Sequence, residues 1–380
     1  MVFMYGCRHQ IILFYVLDIS VMWRSWIFIK GSIYSHDNHN YGLIPRWAVR
    51  NSEQSDCNLN SKTPFFVERS CDKIMNEKFC EEFMQYFPSA IEISDFRWTN
   101  FANCVLNIFL TYTAIMLNIM TIYAIRKTST LSKTLRTLLL SLAVSDVGVG
   151  LFVQPFYSSL QVNWVQQSNP NCNTFTAFMM INITFSVASF MGVVAVSVDR
   201  FLAVHLHLRY QEFVTHKRVV AAILSNWLLG LFVSLMILWA PFSAQNLILS
   251  AAGVICFLLT AMIYINIYLV ARRHKVHMRS LQIQPRERID EMGDFARQLK
   301  SAVSVFYVFI VFLLCYVPFY VCVASIKIYG SSTTLKKCYL LSVTLVFLNS
   351  SLNPVIYCWK MKHIRQALMD SLKSMSWNRN

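Results

Sequence analysis

Seven apolar windows, near 101-125, 135-159, 174-200, 218-241, 246-271, 301-326 and 338-359, constrain this chain more than any other feature. A helix needs roughly 20 mostly apolar residues to cross the hydrocarbon of a bilayer, and each window reaches that length. Of the 380 residues 56% are hydrophobic and only 14% charged, outside the range of ordinary soluble proteins. The predicted fold is therefore all-α: a seven-transmembrane helix bundle with an extracellular N-terminal segment and a short amphipathic C-terminal helix.

A net charge of +15 would suit a nucleic-acid partner, but its distribution argues against one. Basic residues gather after the first, third, fifth and seventh windows: Arg126, Lys127, Lys133 and Arg136; Arg209, Lys217 and Arg218; Arg272, Arg273, Lys275 and Arg279; Lys360, Lys362 and Arg365. The alternate connections are poor in Lys and Arg apart from Lys327, Lys336 and Lys337. By the positive-inside rule the basic segments are cytoplasmic, which puts the N-terminal region outside and the C-terminus inside a multi-pass plasma-membrane protein. Four regions follow: a signal-like or mispredicted segment at 1-30, an extracellular region at 31-100, the bundle at 101-359, and a cytoplasmic amphipathic helix and tail at 360-380.

Residues 51-100 carry nine acids against five bases and read as a small polar ectodomain. Cys57, Cys71, Cys80, Cys172 and Cys338 fall on the outer side, where disulfides form. Five is odd, so at least one is unpaired, bound to another chain or misassigned. Beyond the seventh window, Met361, Ile364, Leu368 and Leu372 stand at i, i+3, i+7 and i+11 with cations between them, the pattern of a helix lying on an anionic inner leaflet. The connection Ala271 to Lys300 is expected to extend two helices into the cytoplasm with a break near Pro285.

Polar groups at membrane depth cost about 2.5 to 3.5 kcal/mol for a charged side chain on insertion scales, so each invites a functional reading. Asp146 is the only carboxylate in the middle of a window. Ser189 and Asn182 lie on the same face of the third helix as Arg200, and Asn349, Asn353 and Tyr357 follow at i, i+4 and i+8 on the seventh. Singly, Ser189 or Asn349 reads as hydrogen-bonding glue between helices. Asp146, Ser189, Asn349 and Asn353 together form a carboxylate with several neutral oxygens, a set that suits a small hard cation. Pro318 and Pro354 each remove a backbone donor and supply weak points in adjacent helices.

Asn118 in the first window, "LAVSD" ending at Asp146, "DRF" from Asp199, Trp227, "CYVP" ending at Pro318 and "NPVIY" from Asn353 to Tyr357 occur in the order in which the rhodopsin-like (class A) G-protein-coupled receptors carry them. The chain resembles that family over roughly 101-375. Its "LRYQEFVTHKR" stretch and very short second outer loop are similar to the melanocortin and adenosine branch. The resemblance implies a receptor, not an enzyme, that converts binding of an extracellular ligand, a small molecule or short peptide, into activation of a heterotrimeric G protein. It implies membrane lipid, arrestin and a receptor kinase as further partners, no nucleic acid, and no cofactor beyond an allosteric sodium ion at Asp146, Ser189, Asn349 and Asn353. It assigns the activation switch to Asp199, Arg200, Tyr264, Phe312, Tyr316, Pro318, Asn353, Pro354 and Tyr357.

Departures from the family pattern shape the ligand expectation. Asn182 stands where amine receptors carry their counter-ion, and Phe347 where opsins carry the retinal lysine. Phe156, Phe175 and Met179 replace the acids that grip the melanocortin peptide, and Val323 replaces the adenine-binding Asn of the adenosine branch. The pocket candidates are thus Asn182, Phe156, Phe347 and Val323, lined without charge. Tyr316 replaces the usual Trp before Pro318, Gln298 stands where many members have an acid that locks the arginine, and the second outer loop offers Cys172 no cysteine partner. A transporter would show inverted repeats and paired helix interruptions, which are not seen here. A signalling-silent decoy is disfavoured by "DRF" and "NPVIY".

Overall fold

The computed structural model describes residues 82–89, 91–128, 131–166, 172–206, 209–240, 242–280 and 286–377, and among these there is no β-strand. Residues 1-30, most of 31-100, and Cys57, Cys71 and Cys80 lie outside the described residues. Seven helices are long and apolar enough to cross a membrane. They are α1 (Ile93–Lys127), α2 (Lys133–Gly148, a π-helical stretch Val149–Val153, then Gln154–Val165), α3 (Cys172–Leu206), α4 (His216–Leu235), α5 (Phe242–Ser280), α6 (Arg286–Tyr329) and α7 (Thr333–Lys360), followed by α8 (Lys362–Trp377).

Helices are the forced solution for these segments, because lipid offers backbone groups no hydrogen-bond partners. Their polar ends are finished locally. Ser132, Thr215 and Ser332 each accept a hydrogen bond from the backbone N–H three residues on, at the starts of α2, α4 and α7. Leu224, Leu228 and Phe232 on α4, and Leu247, Val254, Leu258 and Ile265 on α5, are exposed rows that only a hydrocarbon surround makes inexpensive. Gly230 permits α4 to lie on α3, since a Cβ there would meet the Thr184 carbonyl oxygen at 2.8 Å.

Two expectations need correcting. The bundle begins at Ile93, not 101. Asp95, Arg97 and Trp98 break up the hydrophobicity of that first stretch, yet Glu92 fixes its start through Lys336 Nζ at 2.7 Å and Thr333 Oγ1 at 3.2 Å on α7. Burial works to raise the Glu92 carboxyl, but Lys336 and two Ser89 hydrogen bonds outweigh it and hold it at about 2. The second correction concerns α8. Met361, Ile364 and Leu368 are buried in the same core as Ile125 and Tyr357, so the apolar stripe packs under the bundle instead of facing lipid alone.

The interior divides into two clusters. One, at the Arg200 end of the bundle and named inner for that end, surrounds Leu138, Leu142, Val196, Phe309, Phe312 and Tyr357. An outer one surrounds Tyr157, Trp164, Phe175, Phe178, Tyr339 and Phe347.

Candidate functional site

At the inner end, α3 delivers Asp199 and Arg200 into the core at 4% and 5% exposure. Arg200 Nε donates to Asp199 Oδ2 at 3.0 Å, Nη2 donates to the same oxygen, and Nη1 reaches Ser301 Oγ of α6 at 3.4 Å. The other Asp199 oxygen accepts from Tyr210 Oη at 2.6 Å, and Tyr210 Oη lies 2.9 Å from Thr134 Oγ1 of α2. Burial, and next the Asp199 carboxylate, push the Tyr210 phenol up to about 12, so it remains a donor at neutral pH. A buried guanidinium is tolerable only when paired and hydrogen-bonded. Thr134, Tyr210, Asp199, Arg200 and Ser301 therefore form one latch spanning α2, the short helix Tyr210–Phe213, α3 and α6. Neither Ser301 nor Tyr210 stood out in the sequence. The one signal for Ser301 is that it lies three residues after Gln298, on the same face of α6.

Above the latch, Tyr264 and Ser197 hydroxyls lie 2.9 Å apart, whereas the buried Tyr357 hydroxyl has no hydrogen-bond partner. An aromatic column continues outward: Tyr264 stacks on Phe309 with ring centres 5.4 Å apart, and Phe312 stacks on Tyr316 at 4.1 Å, with Phe190 at 5.4 Å from Phe312. Pro318 and Pro354 both sit inside their helices. Pro354 leaves the carbonyl of Ser350 without its helical donor, and Asn118 Nδ2 of α1 takes that oxygen at 2.8 Å.

At mid-depth, Asp146 is fully buried. Its oxygens accept from Ser189 Oγ at 3.4 Å and Asn353 Nδ2 at 2.8 Å, both neutral donors. Asn349 is buried too, and the side-chain carbonyl oxygens of Asn349 and Asn353 are without hydrogen-bond partners. A buried carboxylate and oxygens with lone pairs to spare fit a hard monovalent or divalent cation. No group of three His, Cys, Asp or Glu residues gathers among the described residues, so the donor set is not of the zinc kind.

The outer cluster brings Phe175, Val323 and Phe347 together with Tyr157, Trp164 and Tyr339, all buried. Tyr157 meets Phe347 at 5.3 Å, and Phe156, only partly buried, meets Phe178 at 5.8 Å. Asn182 is half-buried and its Oδ1 lies 3.5 Å from Ser186 Oγ. Cys172 is disulfide-bonded at the outer end of α3, whereas Cys338, a candidate for pairing, is a free and exposed thiol.

Sequence reasoning missed a polar seam between α1 and the outer part of α2. Asn100, Asn103 and Asn107 recur at i, i+3 and i+7, and Gln154, Ser158 and Gln161 at i, i+4 and i+7, a spacing that could have revealed it. All six are buried. Asn103 Nδ2 donates to Leu340 O at 3.1 Å and Asn107 Nδ2 to Thr344 Oγ1 at 2.9 Å, tying the seam to α7. The amide atoms of Asn100, Gln154 and Gln161 have no hydrogen-bond partners.

Residues 117–357 match the family described as 7 transmembrane receptor (rhodopsin family). The chain is similar to adenosine receptor A3 of Ovis aries, 27% identical over 299 residues that cover 73% of this chain and 91% of that receptor. It is also similar to adenosine receptor A2b of Gallus gallus, 24% over 297 residues covering 69% and 85%, and to adenosine receptor A2a of Canis lupus familiaris, 25% over 294 residues covering 69% of each. These relatives support the adenosine half of the expected branch and lend nothing to the melanocortin half.

Proposed function

Because the chain belongs to the rhodopsin family of seven-transmembrane receptors, which signal through G proteins and are not enzymes, we propose that it couples an uncharged, aromatic-lined outer chamber to the Arg200 latch at its cytoplasmic end. The latch carries this reading. Among the described residues its hydrogen bond from α3 to α6 runs from Arg200 to Ser301, a contact that outward movement of α6 breaks, freeing the guanidinium for a G-protein element. Tyr357, buried with its hydroxyl unsatisfied, gains a partner when the bundle rearranges, which favours the open state by about 1 to 3 kcal/mol. The proline positions at 318 and 354 are where α6 and α7 bend.

Asp146, Ser189, Asn349 and Asn353 hold a sodium ion, which supplies positive charge to the buried carboxylate in the closed bundle only. The basic segments face the cytoplasm and the N-terminal region faces outward. Arrestin and a receptor kinase share the inner surface, and the cations of α8 meet anionic lipid. The ligand is a neutral small molecule or short peptide. The relatives are named adenosine receptors, yet Val323 offers no hydrogen bond at the position of the adenine-binding Asn in that branch, so adenosine itself is not the proposed ligand.

The test is nucleotide exchange on a purified G protein by the full chain in lipid nanodiscs. Exchange above the receptor-free rate, raised further in Ser301→Ala and absent in Arg200→Ala, supports the coupling. No exchange from the parent or from Ser301→Ala would favour a signalling-silent decoy.

A further inference from the structure

The residues just before α1 fold back into the outer aromatic cluster. Phe83, Tyr86 and Phe87 stand at i, i+3 and i+4, so a single helical turn at 82–84 and the bend after it present three rings to one side. Each ring is 1% exposed, as buried as the core of the bundle. Phe87 lies 4.8 Å from Trp164 of α2 and 5.7 Å from Phe175 of α3. Phe83 meets Phe175 edge-on at 5.7 Å, and Tyr86 meets Tyr339 of α7 at 5.2 Å. These distances are those of favourable aromatic pairs. Pro88 stops the turn, and Ser89 closes the segment by donating from its N–H and Oγ to Glu92 Oε2 at 3.0 and 2.8 Å. The same carboxylate holds Lys336, so the segment is strapped to the start of α7. The inner latch is closed while this segment is seated.

We propose that the outer chamber is a binding site for aromatic peptide side chains, and that Phe83, Tyr86 and Phe87 are its resident, inhibitory occupant. This rests on reading the outer chamber as the receptor's ligand site. The walls recognise rings, since Trp164, Phe175 and Tyr339 present aromatic surface directly to Phe83, Tyr86 and Phe87. An occupant bound to the closed bundle holds the population there, and an extracellular ligand acts by displacing it. Because it is joined directly to α1, the segment competes at an effective concentration on the order of millimolar. A free ligand of modest affinity is thereby kept out until the strap loosens.

The experiment uses the full chain in nanodiscs, with Phe83, Tyr86 and Phe87 all changed to Ala, and a fluorescent synthetic peptide of residues 82–89. The triple variant should bind the peptide where the parent does not, raise basal nucleotide exchange at least fivefold, and return toward the parent rate when peptide, but not its scrambled version, is added. If the triple variant does not reach the membrane, Phe87→Leu keeps apolar volume but removes the ring against Trp164, and should raise exchange about twofold. A well-folded variant that binds no peptide overturns the proposal and leaves the receptor reading intact. Binding without a rise in exchange overturns the inhibitory role. Absence of exchange from every form, Ser301→Ala included, counts instead against the receptor reading, and peptide binding then still reports on the site.

Discussion

The inner and outer ends of the bundle solve opposite problems with the same helices. At the inner end a full ion pair is buried, and its main polar atoms are matched: Arg200 to Asp199 and Ser301, Asp199 to Tyr210, Tyr210 to Thr134. At the outer end the interior is mostly rings, the Glu92–Lys336 pair lies at its margin, and the neighbouring amides of Asn100, Gln154 and Gln161 are left unmatched. A matched network has few alternative arrangements and switches between them sharply. An apolar chamber tolerates many occupants of similar shape. On the proposed reading, the matched inner end suits one fixed protein partner and the ring-lined outer end suits a variable ligand whose occupancy biases the latch.

The largest break in that contrast should come from Arg200→Ala. Nucleotide exchange is expected to fall at least tenfold, a change of about 1.4 kcal/mol or more, while surface labelling stays within about twofold of the parent. Tyr210→Phe attacks the same network from the closed side. It removes the donor to a buried carboxylate, a bond to a charged group worth about 1.5 to 3 kcal/mol, so basal exchange should rise about tenfold. Tyr210→Phe with unchanged basal exchange would mean that the Asp199–Arg200 pair and Ser301 hold the latch without Tyr210.

Asp146 joins the two ends, and its effect should be intermediate. Replacing choline by sodium should raise the melting temperature of the purified parent by about 2 to 4 °C, the size expected when a ligand reaches about ten times its dissociation constant. Asp146→Asn should flatten that dependence. Gln298→Glu should lower basal exchange about threefold by adding a carboxylate one turn from Ser301, on the α6 face that meets Arg200. Equal rates would show that Ser301 already does what an acid could do there.

The smallest effect belongs to the outer strap. The Glu92 carboxyl is held below its ordinary value, so its contribution is fully present above about pH 4.5 and is lost only as pH falls toward about 2. Melting temperatures at pH 7 and pH 5 should therefore agree as far as this group is concerned. Glu92→Gln should cost about 1 kcal/mol or less, as expected for a partly exposed pair.

The helices, and the burial of Asp146 and Arg200 among them, were legible because lipid imposes a simple rule on both. Twenty apolar residues announce a crossing, and Asp146 or Arg200 inside or at the edge of one is too costly to be incidental. The start of α1 was not legible, because Asp95, Arg97 and Asn100 give Ile93–Asn100 the composition of a loop while a contact of Glu92 with α7, far away in sequence, fixes the helix start. The seating of Phe83, Tyr86 and Phe87 was hidden for the same reason: their partners Trp164, Phe175 and Tyr339 come from three other helices. Periodicity showed that α8 has an apolar face but not which surface it meets. That face turned out to be covered by Ile125 and its neighbours.

The wide turn at Val149–Val153 has a consequence for how this chain is lined up with others. A π turn closes one residue later than an α turn, and one residue at 3.6 per turn is a rotation of about 100°. Position labels counted outward from Asp146 therefore slip by one register beyond Val153, even when an alignment shows no gap. Counting selects Phe156 for the pocket, yet it is the next residue, Tyr157, that is fully buried against Phe347. A chimera that grafts the outer part of α2 onto a helix with regular turns must omit one residue between 149 and 153, or Gln154, Gln161 and Trp164 will face lipid.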